Sequence, residues 1–296
     1  MSSAQRNNAW VKAMPVVFVL IWSTGFIVAR YGMPHAPPMK FLAVRYFLSV
    51  LCFGIWVLLA RAAWPANRGQ WKHLAVTGVL MHAGYLAGVW SAVKLGMGAG
   101  LVALLVGLQP VLTAIWVAWH GGQVSSRQRL GLALGFAGLV LVVWQKLGLG
   151  EIDGLNFLLA LAALLSITVG TLYQKRFLAP CDARSAGLVQ LAAAFVVTLP
   201  LALVEQEGMR WNAELAGAMA WSVLALTLGG SSLLYLLIQR GATTSVTSLL
   251  YLVPPCTAVM AWLLFAEPIT ASAIAGLALT AFGVSLVVRG AKAPPG

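Results

Sequence analysis

Ten times along this chain, apolar residues run on for the length of a membrane crossing: 13–31, 38–60, 73–93, 96–119, 129–145, 154–174, 185–204, 215–238, 243–265 and 269–288. A helix through ~30 Å of hydrocarbon needs about 20 such residues. Only 9% of the residues are charged and 60% are hydrophobic, whereas a soluble domain carries about 25% charged residues. A chain of this composition cannot cover itself with a water-facing surface, so lipid is its solvent. Arg6 and Lys12 precede the first run, as in a signal peptide. That run has no clear small-residue cleavage site, and nine more spans follow, so it reads as a retained helix. The expected fold is an all-α integral membrane protein with ten transmembrane helices.

The net charge of +12 is explained by where the charges fall. With the N-terminus inside, the cytoplasmic segments hold Arg6, Lys12, Arg61, Arg68, Lys72, Arg127, Arg129, Lys175, Arg176, Arg184, Arg240, Arg289 and Lys292. The opposite face holds Arg30, Lys40, Lys94, Lys146 and Arg210, together with every acid except Asp182. Basic residues accumulate on the cytoplasmic side of membrane proteins. The pattern predicts a multi-pass membrane protein with both termini in the cytoplasm, and it accounts for the charge without nucleic acid. Cys52, Cys181 and Cys256 form no disulfide framework and no metal-ligand spacing, so they read as packing residues. No cofactor or metal is implied.

The chain also repeats itself. Gly131–Val143 reads GLALGFAGLVLVV and Gly276–Val288 reads GLALTAFGVSLVV, an offset of 145 residues with eight of thirteen positions identical. The same offset pairs Gly25 with Gly170, Gly84 with Gly229, Leu104 and Leu105 with Leu249 and Leu250, and Pro110 with Pro255. Residues 13–145 and 154–288 are thus two five-helix units joined by the extracytoplasmic linker 146–153, with tails at 1–12 and 289–296. Five is odd, so the second unit enters the membrane from the other side and the two are related upside down. Inverted repeats around a midplane site are the architecture of secondary transporters, which alternate access by moving one bundle against another.

Several of these stretches resemble a known family. IWSTGFIVARYGMPHAPPMKFLAVRYFL (Ile21–Leu48) carries Trp22-Ser23-Thr24-Gly25, then Pro37-Pro38 and Arg45. With Pro110, Pro254-Pro255 and the turn Glu267-Pro268-Ile269-Thr270, it is similar to the EamA branch of the drug/metabolite transporter superfamily. Within that branch it looks most like the bacterial amino-acid exporters of the YddG type. The resemblance spans essentially the whole chain. It implies ten helices, a central cavity and export of small metabolites. One departure is Gly122, which stands in the first unit where the second has Glu267.

Polar groups at membrane depth are the candidates for a pathway. His82 lies midway along the third run, with Tyr85 on the same face. It reads either as a cavity group or as a core histidine bonded to a neighbouring helix. Its repeat partner Thr227 leads a polar face with Ser231 and Tyr235. Ser23 and Thr24 in the first run stand against Thr168 in the sixth, with Ser166 nearby, and Ser248 and Tyr251 mark the ninth. Each Ser or Thr can instead bond its own helix or glue two helices together. Trp22 and Trp90 read as cavity walls or as interfacial anchors.

Arg45 lies two turns inside the second run, able to snorkel outward, and is expected to be structural or gating rather than to touch substrate. Pro110, Pro254 and Pro255 should kink the fourth and ninth helices, which with Gly25 and Gly170 are the candidate hinges. No run contains an Asp or Glu, so His82 alone could couple transport to protons near neutrality.

The expected partners are the lipid bilayer and a small-molecule substrate, most plausibly an amino acid whose ammonium lies against an aromatic face. Nucleotide sugars, drug-like solutes and a channel are the alternatives. No serine elbow, aspartate pair or HExxH helix suggests an enzyme. Nothing in the composition marks an oligomer face, and a monomer is compatible with the sequence.

Overall fold

This computed structural model describes residues 3–120, 125–148, 152–230, 232–233 and 252–290, and among them all regular structure is helical. In order these are α1 (Ser3–Gly32), α2 (Pro38–Leu59), α3 (Arg68–Gly78), α4 (Tyr85–Lys94), α5 (Ala99–Val106) and α6 (Gln109–Trp119). There follow α7 (Ser126–Gly148), α8 (Gly154–Phe177), α9 (Ala183–Val204), α10 (Ala213–Ala220), α11 (Val253–Phe265) and α12 (Ala271–Gly290). Two π-helical stretches interrupt the α pattern: Val79–Gly84 joins α3 to α4, and Trp221–Gly229 continues α10.

Among the described residues seven stretches are long and apolar enough to cross a membrane: Met14–Gly32, Pro38–Leu59, Arg68–Lys94, Ala99–Trp116, Ser126–Trp144, Gly154–Phe177 and Ala183–Val204. Ala213–Gly229, Val253–Phe265 and Ala271–Val287 are shorter apolar helices. They overlap the last three apolar runs, and parts of the eighth and ninth runs lie outside the described residues.

Two details differ from the sequence reading. The first helix begins at Ser3, ten residues before its apolar run, and carries Pro15 inside it. A helix need not end where the hydrocarbon does. The fourth run is not one kinked helix: it breaks at Gly107 and Leu108, and Pro110 lies in the first turn of α6. Pro254 and Pro255 likewise sit in the first turn of α11. A first-turn proline forfeits no intrahelical bond, so these residues start helices rather than bend them. Gly107 makes the break fit, because a Cβ there would stand 2.8 Å from the Pro254 ring.

The helix ends are capped by side chains, some near in sequence and some far. Asn67, Asp153, Asp182 and Asn212 accept backbone N–H groups at the starts of α3, α8, α9 and α10. Hydrogen bonds from Arg184 also hold the Asp182 carboxyl below the usual carboxylate range. Glu205 accepts the N–H groups of Met39 and Lys40 at 3.0 and 2.8 Å, capping α2 from more than 160 residues away. Glu267 does the same for α5 through Ala99 at 3.1 Å. The glutamate that interrupts the repeat is therefore a cap.

Small residues set the closest packing. A Cβ on Gly131 would lie 2.5 Å from the Gly283 carbonyl oxygen, and one on Gly138 would lie 2.5 Å from that of Gly276. Only glycine lets α7 and α12 approach so closely. Elsewhere Phe41 stacks on Trp90 with centroids 4.3 Å apart, among a buried core that includes Phe18, Tyr46 and Phe53. Leu59, Trp119 and Trp144 point outward, each at least 78% exposed. In water such a surface would aggregate, and in lipid it is matched by the acyl chains.

Gly138→Ala should destabilise the α7–α12 pair by about 1–3 kcal/mol through overpacking. Gly54→Ala, where a Cβ meets nothing within 4 Å, should not. Thermal unfolding of the two detergent-solubilised variants checks this, and equal melting temperatures would contradict the packing argument.

Candidate functional site

Between the helices lies a cavity of about 130 Å3. Its walls come from Trp22, Gly25 and Phe26 of α1, Arg45 and Tyr46 of α2, and Tyr85, Leu86, Val89 and Trp90 of α4. Ile167 of α8, Leu191 of α9, Met81 and His82 of the first π stretch, and Leu226 and Thr227 of the second complete them. The aromatic rings give it apolar faces. The hydroxyls, the imidazole and the guanidinium give it a few placed polar groups, as small-molecule sites require.

Both π stretches stand in this wall. A π turn carries one residue more than an α turn and often marks a functional position. Here its carbonyls are tied down by side chains. Ser166 Oγ donates to the Leu80 carbonyl at 2.7 Å, and the Tyr46 hydroxyl donates to that of His82 at 2.9 Å. In the second stretch the Thr227 hydroxyl donates to the Ser222 carbonyl, five residues back, at 2.8 Å.

Arg45 turns inward, contrary to the outward path its long stem would allow. It is 8% exposed, and its Nη2 donates to Thr227 Oγ1 at 3.3 Å. Its guanidinium carbon lies 6.0 Å from the centroid of the Trp90 ring. Among the described residues its Nε has no hydrogen-bond partner, and no Asp or Glu lines the cavity.

The Gln190 side chain of α9 hydrogen-bonds the His82 side chain from outside the cavity lining. Arg45 and Gln190 are 145 residues apart, as are His82 and Thr227. Helix α2 thus reaches the second π stretch at the position where α9 reaches the first. The neighbouring glycines follow the same offset. A Cβ on Gly25 would stand 3.8 Å from Leu226, and one on Gly170 would stand 2.6 Å from Met81.

Of the residues singled out from sequence, Trp22, Gly25, Arg45, His82, Tyr85 and Thr227 line the cavity together. Ser23, Thr24 and Thr168 lie outside the lining, and each donates to a carbonyl of its own helix: Val19, Ile21 and Leu164 respectively. Thr24 also accepts the Trp221 indole N–H at 2.8 Å. Ser166 serves the first π stretch, and Gly170 packs behind it. Pro110, Pro254 and Pro255 lie outside the lining. Ser231, Tyr235, Ser248 and Tyr251 lie outside the described residues. Sequence reasoning misses Tyr46 as a lining residue, although it follows Arg45 in the same apolar run, and misses Gln190, the repeat partner of Arg45, as the hydrogen-bond partner of His82.

At one end of the bundle, segment 205–214 is stitched to segment 33–40. His35 Nε2 lies 2.7 Å from a Glu214 oxygen, and Arg210 donates to the Pro34 carbonyl at 2.7 Å. Lys94 Nζ pairs with Glu207 at 2.8 Å on the same end. At the other end Gln70 donates to the Ala179 carbonyl and Ser185 to that of Ala63.

Residues 10–144 and 155–289 each match the EamA-like transporter family. The uncharacterized transporter YvbV of Bacillus subtilis is 27% identical over 280 residues, covering 93% of this chain and 90% of that one. A probable amino-acid metabolite efflux pump of Salmonella typhimurium is 24% identical over 288 residues, covering 94% of each. One solved crystal structure shares the fold with a TM-score of 0.65 at 19% identity, covering 94% of this chain and 97% of its own.

With Cys52, Cys181 and Cys256 replaced by alanine, Thr227→Cys should react with a water-soluble methanethiosulfonate reagent. Ser23→Cys, fully buried against its own helix, should react at least ten-fold more slowly. Equal labelling would show that the cavity is not the accessible path.

Proposed function

This chain belongs to the EamA-like transporter family, and we propose that it is a secondary transporter exporting small neutral metabolites, amino acids foremost, by alternating access. In this reading residues 13–145 and 154–288 are two inverted five-helix units that make ten crossings, with both termini in the cytoplasm. The observation that carries it is the cavity walled by groups from both halves, whose contacts recur at the 145-residue offset. A site between inverted repeats opens to either side by exchanging the conformations of the two halves. The name of the Salmonella relative, a probable amino-acid metabolite efflux pump, supports the substrate class and direction.

The rings of Trp22 and Tyr85 would hold the apolar part of the substrate, while His82 and Thr227 would offer hydrogen bonds. The helix starts at Pro110 and at Pro254-Pro255, with Gly25 and the close approach at Gly170, are the points at which the halves would move. The lack of an acidic group among the described residues of the wall suits facilitated exchange, with His82 as the one group there able to link it to protons. A protein of this kind acts on its solute without making or breaking covalent bonds.

Proteoliposomes preloaded with unlabelled amino acids should accumulate a labelled neutral one by saturable counterflow. His82→Ala should slow that exchange about ten-fold, the size expected for losing a hydrogen bond of about 1.5 kcal/mol. Exchange that survives intact would assign His82 to packing. Absence of exchange with every amino acid would sink the substrate class. Separately, a fluorescent protein fused after Gly296 should fluoresce, and alkaline phosphatase fused there should be inactive. The reverse pattern would place the C-terminus outside.

A further inference from the structure

Arg45 is the feature of the cavity that a site for wholly neutral solutes leaves unexplained. A guanidinium carries five N–H donors. Here one nitrogen meets the Thr227 hydroxyl at 3.3 Å, a long contact, and Nε meets nothing among the described residues. The acids of the described chain are Asp153, Asp182, Glu205, Glu207, Glu214 and Glu267. None of them lines the cavity, and several are engaged elsewhere as caps or ion pairs. A buried cation without a counter-ion is costly. A side chain with Arg45's reach could escape that cost by snorkelling, yet this one is aimed at the empty space.

The surroundings hold it there. Trp90 lies beneath the guanidinium at 6.0 Å and is itself fixed by stacking on Phe41. A guanidinium in the wall of an apolar chamber, with no carboxylate lining it among the described residues, is suited to take one by charge-assisted hydrogen bonds. The rest of the wall does not provide for an ammonium in the same way. Among the described residues it has no acidic group, and Arg45 itself repels a second cation. What remains is a set of apolar faces from Trp22, Phe26, Val89 and Leu226.

We infer that Arg45 is the carboxylate-binding residue of this cavity, and that its substrates are carboxylates with an apolar body, whose α-amino group is dispensable. The inference rests on the reading of the cavity as the transport site and sharpens its substrate class. It also makes Arg45 a substrate contact rather than a gate.

The test uses the intact protein in lipid nanodiscs at pH 7, titrated calorimetrically with three probes that share one ring. These are phenylalanine, its deaminated analogue 3-phenylpropionate, and its decarboxylated analogue 2-phenylethylamine. Both acids should bind, with 3-phenylpropionate within a few-fold of phenylalanine, and the amine should bind at least ten-fold more weakly. Arg45→Gln should weaken both acids about ten- to a hundred-fold, as loss of a hydrogen bond to a charged group does. Arg45→Lys should restore part of that binding. Should Arg45→Gln fail to fold, the wild-type ranking of the three probes decides the matter by itself.

Equal binding of amine and acids, or an Arg45→Gln variant with wild-type affinity, overturns the inference. Amino-acid counterflow would then stand untouched. Binding and counterflow of 3-phenylpropionate without any of phenylalanine upholds the inference and removes the amino-acid reading. Failure of a monodisperse wild-type protein to bind any of the three overturns the inference, and amino-acid counterflow then decides the broader reading separately.

Discussion

In the hydrocarbon of a bilayer no water is present to bond a peptide group, so each N–H and C=O must find its partner within the chain. Most of this structure follows from that. Helices satisfy their own interiors, and what they leave over is taken up by side chains brought from elsewhere. Glu205 and Glu267 cap helices far from them in sequence. Tyr46 and Ser166 bond carbonyls in the first π stretch. The polar residues at depth are therefore mostly occupied with the backbone, Tyr46 and Thr227 in the cavity wall included.

That division is only partly visible in the sequence. The helices are legible because apolar length alone decides them, and the described helices fall where the runs predict. Their breaks are less so. Pro110 marks an interruption, but whether proline bends a helix or starts a new one depends on Gly107, whose role comes from its contact with Pro254. The π stretches have no local signature, since they are held by side chains from α2 and α8 that no window around His82 contains.

The site is legible where chemistry is unusual at depth and illegible where it is ordinary. His82, Arg45 and Tyr85 have few reasons to lie in an apolar helix, and all three reach the cavity. A serine or threonine has a competing use one turn away, and Ser23, Thr24 and Thr168 follow it. Which of the two prevails depends on the direction a side chain faces, and that is fixed by neighbours distant in sequence. The inward turn of Arg45 has the same origin: its stem is long enough for either path, and the position of Trp90 on Phe41 decides between them.

The pairing of α7 with α12 has a consequence for how such a chain could arise. Gly131 meets Gly283 and Gly138 meets Gly276, and a shift of 145 residues turns Gly131 into Gly276 and Gly138 into Gly283. Thr280 hydrogen-bonds the carbonyl of Gly135, its own counterpart, at 3.5 Å. Each helix offers the other the same surface, which is the isologous contact of a two-fold dimer. Two separate copies of the repeated segment would have this seam available to them, and joining them end to end would call for a linker rather than a new interface. The seam then constrains drift: a bulkier residue arising on one side must be met by the opposite wall, so these glycines should diverge more slowly than the chambers they hold together.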